Sequence, residues 1–113
     1  MTITFETVLT RVGGLEGAEL SRWIENRWVL PDNRADTFLF REVDLARVRL
    51  IHEMRRDFGL DDDALELVLS LLDQVYGLRR QLRVLCTAVG SQPEPVRKAI
   101  LAQLESARDH EED

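Results

Sequence analysis

Cysteine and lysine each occur once in this 113-residue sequence, and long hydrophobic runs are missing. The single cysteine, Cys86, excludes an internal disulfide, and beside Leu85 it is expected to be a small buried hydrophobic residue. No stretch approaches the ~20 consecutive apolar residues that a membrane-spanning helix needs. The first residues have neither the basic region nor the apolar run of a signal peptide. We therefore expect a cytoplasmic protein without a membrane segment.

Basic residues are also fewer than acidic ones. The 15 basic residues face 21 acidic ones, so the formal net charge is −6. Residues 1–40 hold four arginines against six acidic residues, a net of −2, where a protein that binds DNA should be positive. Because phosphate contacts supply much of the affinity for DNA, this balance predicts weak or absent sequence-specific DNA binding.

Residue patterns that carry catalysis are absent as well. The sequence contains no nucleophile with a neighbouring base, no glycine-rich phosphate loop and no pair of carboxylates in an apolar setting. His52, His110 and Cys86 are far apart and lack the spacing of metal ligands. These absences predict a protein that is not an enzyme and that holds neither a metal nor a cofactor.

Apolar residues at helical spacing, interrupted by glycine and proline, predict a mainly α-helical chain with one small β-hairpin. The predicted elements are helices over residues 6–11, 15–26 and 42–58 and strands over residues 28–30 and 37–40. A turn at Pro31-Asp32-Asn33 joins the two strands, and Gly59 ends the third helix. Trp23 and Trp28 are expected to anchor the core of this part of the chain.

A long helix should follow, because its start carries several local signals. Asp61 is placed as the N-cap, and Asp62 and Asp63 fall in the first turn, where the helix dipole favours anions. Apart from Gly77, no helix breaker appears before Gly90. We therefore expect one helix of about 29 residues, ~43 Å long at the usual rise.

A short C-terminal helix is predicted after this long one. Ser91 and Glu94 have the spacing of a capping box at its start. The sequence therefore divides into an N-terminal domain over residues 1–59, a long helix over residues 60–90, and a C-terminal helix with an acidic tail over residues 91–113.

The long helix carries two apolar stripes, which predict two packing partners. One stripe follows an uninterrupted pattern of four- and three-residue steps, and its central members are Leu71, Val75, Leu78, Leu82 and Leu85. We expect these residues to form the seam of a homodimer, and alternating Val and Leu favour two strands in parallel coils. The second stripe should pack on the N-terminal domain; its members are Leu65, Leu69, Leu72 and Tyr76.

Acidic residues dominate the first half of the long helix. Residues 61–76 include Asp61, Asp62, Asp63 and Asp73 and contain no basic residue, whereas residues 77–89 contain three arginines. The acidic half is interpreted either as a docking face for a basic partner or as a helix cap with a solvated face. Antiparallel pairing of two such helices would also bring acidic and basic halves together. The sequence pattern leaves these alternatives open.

The order of elements resembles that of the MerR-like winged helix-turn-helix proteins, and several segments are similar to that family. These segments are Ile3-Thr4-Phe5, Leu20–Glu25, Trp28–Pro31, and Asp44-Leu45 followed by Arg47, Ile51, Arg55 and Gly59. The resemblance covers residues 3–85. It implies a winged helix-turn-helix domain, with the hairpin as the wing, followed by a long dimerisation helix.

Within that family the sequence most resembles the CbpM branch of chaperone modulators. Val48–Met54, Leu69–Asp73 and Thr2–Phe5 carry this resemblance. It implies an antiparallel homodimer that binds the J-domain of a DnaJ-type co-chaperone and keeps it from Hsp70. His52 is interpreted either as an ordinary surface residue of the third helix or as part of the partner interface. The second interpretation, which includes Glu53, follows from the resemblance, because it is densest around these two residues.

A MerR-like transcription regulator that binds operator DNA is the alternative. The wing of such regulators usually carries a Tyr-Arg pair that contacts phosphate, whereas this sequence has Phe38-Leu39-Phe40. The second helix should present basic residues to the major groove, yet it opposes two arginines with three acids: Arg22, Arg27, Glu16, Glu19 and Glu25. Both departures favour the modulator.

Overall fold

The structure, a computed structural model, describes residues 2–111. It is mainly helical and contains one small antiparallel sheet. In chain order the elements are β1 (Ile3–Thr4), α1 (Phe5–Val12), α2 (Gly17–Glu25), β2 (Asp32–Arg34), β3 (Thr37–Phe40), α3 (Glu42–Phe58), α4 (Asp62–Gly90) and α5 (Glu94–Glu111). The chain forms two compact units, the first ending at Leu71 and the second beginning at Leu72. Glu112 and Asp113, the end of the predicted acidic tail, lie outside the described residues.

The hairpin does not contain the strand predicted over residues 28–30, so that prediction is wrong. The strand that pairs with β3 is β2, with Asp32 opposite Leu39 and Arg34 opposite Thr37. Ala35 and Asp36 form the turn and both have positive φ, 51° and 61°, as a two-residue type I′ hairpin requires. The predicted strand residues Trp28 and Val29 are instead buried, so their apolar character reflects core packing.

The sheet has a third strand that the periodicity did not predict. β1 pairs antiparallel with β3, which places Ile3 opposite Phe40, and both side chains are buried. Thr4 then caps α1, because its hydroxyl accepts a hydrogen bond from the Thr7 amide at 3.2 Å. Two residues are too few for an alternating pattern, so only pairing with a distant strand makes this segment recognisable.

Helix α3 begins and ends where the sequence predicted. At its start, the backbone amide of Arg41 donates to the buried Asp44 carboxylate at 2.9 Å. At its end, Gly59 has φ +65°, the left-handed conformation that glycine adopts without strain. Both ends are therefore determined by residues close in sequence.

The core of the first unit is built from its helices and from β1 and β3, whereas the residues of β2 are exposed. The predicted anchors Trp23 and Trp28 are both confirmed as buried. Its largest fully buried side chains are Trp23, Phe40, Leu20, Leu45, Ile51 and Leu65. Leu65 and Leu69 of the predicted second stripe are buried, but Tyr76 is 42% exposed. The apolar face of α4 that packs in this core therefore covers only its first two turns.

The second unit contains the rest of α4 and all of α5. None of its described side chains is buried, and Cys86 is exposed, so the expectation of a buried cysteine is wrong for the single chain. The predicted capping box is also wrong, because the Ser91 hydroxyl donates to the Ala88 carbonyl at 2.8 Å. Helix α5 starts at Glu94, and its 18 residues make it longer than the short helix predicted.

Candidate interaction surfaces

The first candidate surface lies on α3, around the predicted partner residues His52 and Glu53. Glu53 is exposed, whereas His52 is partly buried. The His52 Nε2 atom is buried, has no hydrogen-bond partner within the described part of the chain, and faces Gly14. A shallow pocket here is lined by Val12, Arg49, His52, Glu53, Arg56 and Asp57. The pocket therefore carries exposed charges of both signs, from two arginines and two acidic residues.

A second candidate surface forms where α2, α3 and the start of α4 meet in the first unit. Arg55 Nη1 lies 2.9 Å from Asp62 Oδ1, and Arg55 Nε lies 3.5 Å from Glu19 Oε2. Arg22 Nε lies 3.4 Å from Asp62 Oδ2. We call these four residues (Glu19, Arg22, Arg55 and Asp62) the Asp62 cluster. Its two carboxylates and two guanidinium groups balance each other in charge.

The predicted acidic residues of α4 differ in their surroundings. The Asp61 carboxylate accepts a hydrogen bond from the Ala64 amide at 2.9 Å, which confirms it as the α4 N-cap. Asp62 is engaged by two arginines, while Asp63 is exposed and makes no ion pair among the described residues. Asp73 is exposed and belongs to the second unit. The structure therefore brings Asp61 and Asp62 together in one pocket, with Arg22 and Arg55.

Other arginines of the first unit are also occupied by contacts within the chain. Arg11 pairs with Glu42, and Arg41 pairs with Asp44, each at 3.4 Å. The Arg47 side chain donates to the Trp28 carbonyl. Arg27, Arg34 and Arg49 are exposed and make no ion pair within residues 2–111. Much of the already small positive charge is thus neutralised locally.

The third candidate surface is an exposed apolar stripe on α4. All five predicted seam residues are exposed, from 42% for Val75 to 59% for Leu78. Sequence reasoning missed Leu67, which is 62% exposed and stands four residues before Leu71. Its helical spacing from Leu71 and Leu78 was the signal that could have identified it. Leu67 therefore adds an exposed apolar side chain to α4 next to the predicted four-three pattern.

Residues 3–86 match the family model described as MerR HTH family regulatory protein. The chain belongs to this family. The match ends within α4, so the last residues of this MerR-family protein, including all of α5, lie beyond it. No curated protein is similar enough in sequence to match the chain.

Two further structural features bear on the possible classes of function. Among residues 2–111, no helix of this MerR-family protein combines the length and the apolar character that crossing a bilayer requires. The described residues also contain no group of three or more His, Cys, Asp or Glu side chains placed to hold a metal ion.

Proposed function

We propose that this MerR-family protein is a cytoplasmic chaperone modulator that binds the J-domain of a DnaJ-type co-chaperone and blocks its interaction with Hsp70. The observation that carries this proposal is the charge of the first unit. The protein is acidic, and carboxylates of its own chain engage Arg22 and Arg55 on α2 and α3. A surface of this kind suits a basic protein partner better than DNA.

The resemblance to the CbpM branch supports a J-domain as the partner. Part of the similar segment Val48–Met54 belongs to the core, since Val48, Ile51 and Met54 are buried. The remaining residues include Arg49 and Glu53, which are exposed, and His52, which is partly buried. Exposed residues are not required for packing, so their similarity supports a shared binding partner on this side of α3.

The mechanism we propose is steric occlusion assisted by charge. As the resemblance implies, J-domains meet Hsp70 through a basic helix, and a modulator that covers this helix competes with Hsp70. Opposite charges accelerate association, and salt screens this attraction over about 10 Å at 0.1 M ionic strength. The association rate should therefore fall as salt rises, and Hsp70 should compete with the modulator for the J-domain.

A homodimer is part of this proposal. The leucines at positions 67, 71, 78, 82 and 85 are exposed, so in a single chain they contact water. Burying one Leu or Val side chain contributes on the order of 1.5–3 kcal/mol, so a paired stripe of this length can hold two chains together. A second copy offers the matching stripe by symmetry.

The test of the proposal is a titration of the full-length protein with the isolated J-domain of the cognate co-chaperone. We expect binding heat in calorimetry and loss of J-domain-stimulated ATP hydrolysis by Hsp70 when the protein is in excess. A J-domain whose basic helix has been neutralised serves as the control and should bind weakly. Absence of heat at several temperatures, together with unchanged ATP hydrolysis, would show that the proposal is wrong.

A DNA-binding transcription regulator is the second candidate, and family membership favours it. The match to MerR HTH regulatory proteins includes the α1–α2 segment and the hairpin. Exposed Arg27, Arg34 and Arg49 are the residues that such a function would use. Nanomolar binding to a specific DNA site at physiological salt, measured by footprinting, would favour this candidate over the modulator.

A further inference from the structure

We propose that Asp62 determines the specificity of this helix-turn-helix protein, because it holds Arg22 and Arg55 in ion pairs that exclude polyanions. The inference shares one expectation with the proposed function and rests on it to that extent: the wild-type protein binds DNA weakly. Its basis is the geometry of the Asp62 cluster in the first unit.

Both oxygens of the Asp62 carboxylate lie within ion-pair distance of an arginine. Oδ1 lies 2.9 Å from Arg55 Nη1 and 3.5 Å from Arg22 Nη2, while Oδ2 lies 3.4 Å from Arg22 Nε. Arginines bind phosphate with the same forked groups that they offer to carboxylates. Asp62 therefore occupies, from within the chain, the position of an anion bridging two guanidinium groups.

The backbone holds Asp62 in this position. Asp62 is the first residue of α4, where the helix dipole favours a negative charge. The short connection before it is fixed by Gly59, which has φ +65°, and by a hydrogen bond from the Leu60 amide to the Met54 carbonyl at 3.4 Å. A phosphate would have to displace a carboxylate that is attached to a helix and contacts two arginines at once.

The second carboxylate of the cluster strengthens the exclusion. Glu19 lies on α2 with a side chain only 25% exposed, and it pairs with Arg55 at 3.5 Å. With two carboxylates and two guanidinium groups, the cluster has no formal net charge and offers a polyanion little gain. Removing the Asp62 charge leaves a net charge of +1 and frees the guanidinium of Arg22 from its carboxylate partner.

The test is a comparison of Asp62→Asn with Asp63→Asn in full-length protein, using a labelled 30-base-pair duplex of random sequence. Both variants change the net charge equally, but Asp63 makes no ion pair among the described residues. For Asp62→Asn we expect roughly tenfold tighter binding at about 50 mM salt and a log–log salt slope steeper by about one. Asp63→Asn should bind like the wild type. Equal binding by the two variants, or unchanged binding by Asp62→Asn, would overturn the inference.

A second pair of variants keeps the inference testable if Asp62→Asn fails to fold, as judged by circular dichroism. Glu19→Gln removes one of the two carboxylates that pair with Arg55 and leaves the cluster with a net charge of +1. Glu16→Gln is the control, because it removes an exposed carboxylate at the start of α2 that makes no capping hydrogen bond. We expect tighter DNA binding for Glu19→Gln alone. The calorimetric titration with the J-domain separates this inference from the proposed function, because either result can fail while the other holds.

Discussion

Three consecutive aspartates at the start of α4 have different surroundings, although they are identical in type. Asp61 accepts a backbone hydrogen bond, Asp62 bridges two arginines, and Asp63 faces solvent. The difference arises because successive helix positions point about 100° apart, so only one of the three faces the arginines of α2 and α3. Their substitutions should therefore have unequal effects.

The cap is tested by Asp61→Ala. Losing the carboxylate leaves the Ala64 amide without its 2.9 Å acceptor, and N-cap replacements of this kind typically lower the free energy of unfolding by about 1 kcal/mol. Urea unfolding followed by circular dichroism measures the change. Asp63→Ala is the matched control and should alter stability by less than about 0.5 kcal/mol. Equal losses for both variants would contradict the capping role.

The exposed acids of α4 are tested together by Asp63→Asn with Glu66→Gln. Both residues are exposed, so their charges should accelerate encounter with a basic J-domain without contributing to the fold. We expect the association rate at low salt to fall by about threefold in surface plasmon resonance. Glu105→Gln with Asp109→Asn removes the same charge from α5 and should leave the rate unchanged. If both pairs act equally, total charge accounts for the effect and this face of α4 does not.

At the scale of elements, Gly59 and Gly77 differ in their backbone conformation, because one ends a helix and the other lies inside one. Gly59 ends α3 with φ +65°, whereas Gly77 lies inside α4 without a positive φ. A Cβ at Gly77 would meet only the Arg80 Nη2 atom, at 3.8 Å, which is ordinary contact distance. No contact among residues 2–111 therefore requires glycine at position 77.

Alanine substitutions at these two positions should change stability in opposite directions. Gly77→Ala should raise the free energy of unfolding by up to about 1 kcal/mol, since alanine is the better helix former. Gly59→Ala should lower it by about 1 kcal/mol or more, because an L side chain strains the left-handed conformation. Thermal and urea unfolding give both values. A loss of stability in Gly77→Ala would indicate that another chain approaches α4 at this point.

At the scale of the whole molecule, both units leave apolar side chains of α4 exposed to solvent. Leu71, Leu78, Leu82 and Leu85 are each more than half exposed, and an apolar patch of this kind marks an interaction site. α5 adds exposed apolar side chains at Val96, Leu101 and Leu104. These exposed apolar side chains are the reason for the proposed homodimer.

Leu78→Asp tests whether that other chain is a second copy. The wild type should sediment as a dimer at micromolar concentration, and the variant as a monomer, because a carboxylate cannot be buried unpaired in the seam. Val84→Asp is the matched control, since Val84 is 70% exposed and lies off the four-three pattern. A wild-type monomer, or a dimer that survives Leu78→Asp, would contradict the proposed seam.

The sequence by itself determined those elements whose signals are local. The bounds of α3 and the 29-residue length of α4 follow from caps, glycines and helical periodicity, all of which act within one or two turns. Family membership could also be predicted, because the order of elements and several short segments within the matched residues 3–86 resemble the family.

Only the tertiary structure decided features that depend on residues distant in the chain. The hairpin register was mispredicted because core packing of Trp28 and Val29 produces the same apolar pattern as a strand. β1 exists only through pairing with β3. The Asp62 cluster joins residues 40 positions apart, Arg22 and Asp62, across three helices. Charge in a sequence can be counted, but which charges neutralise each other depends on distances that folding creates.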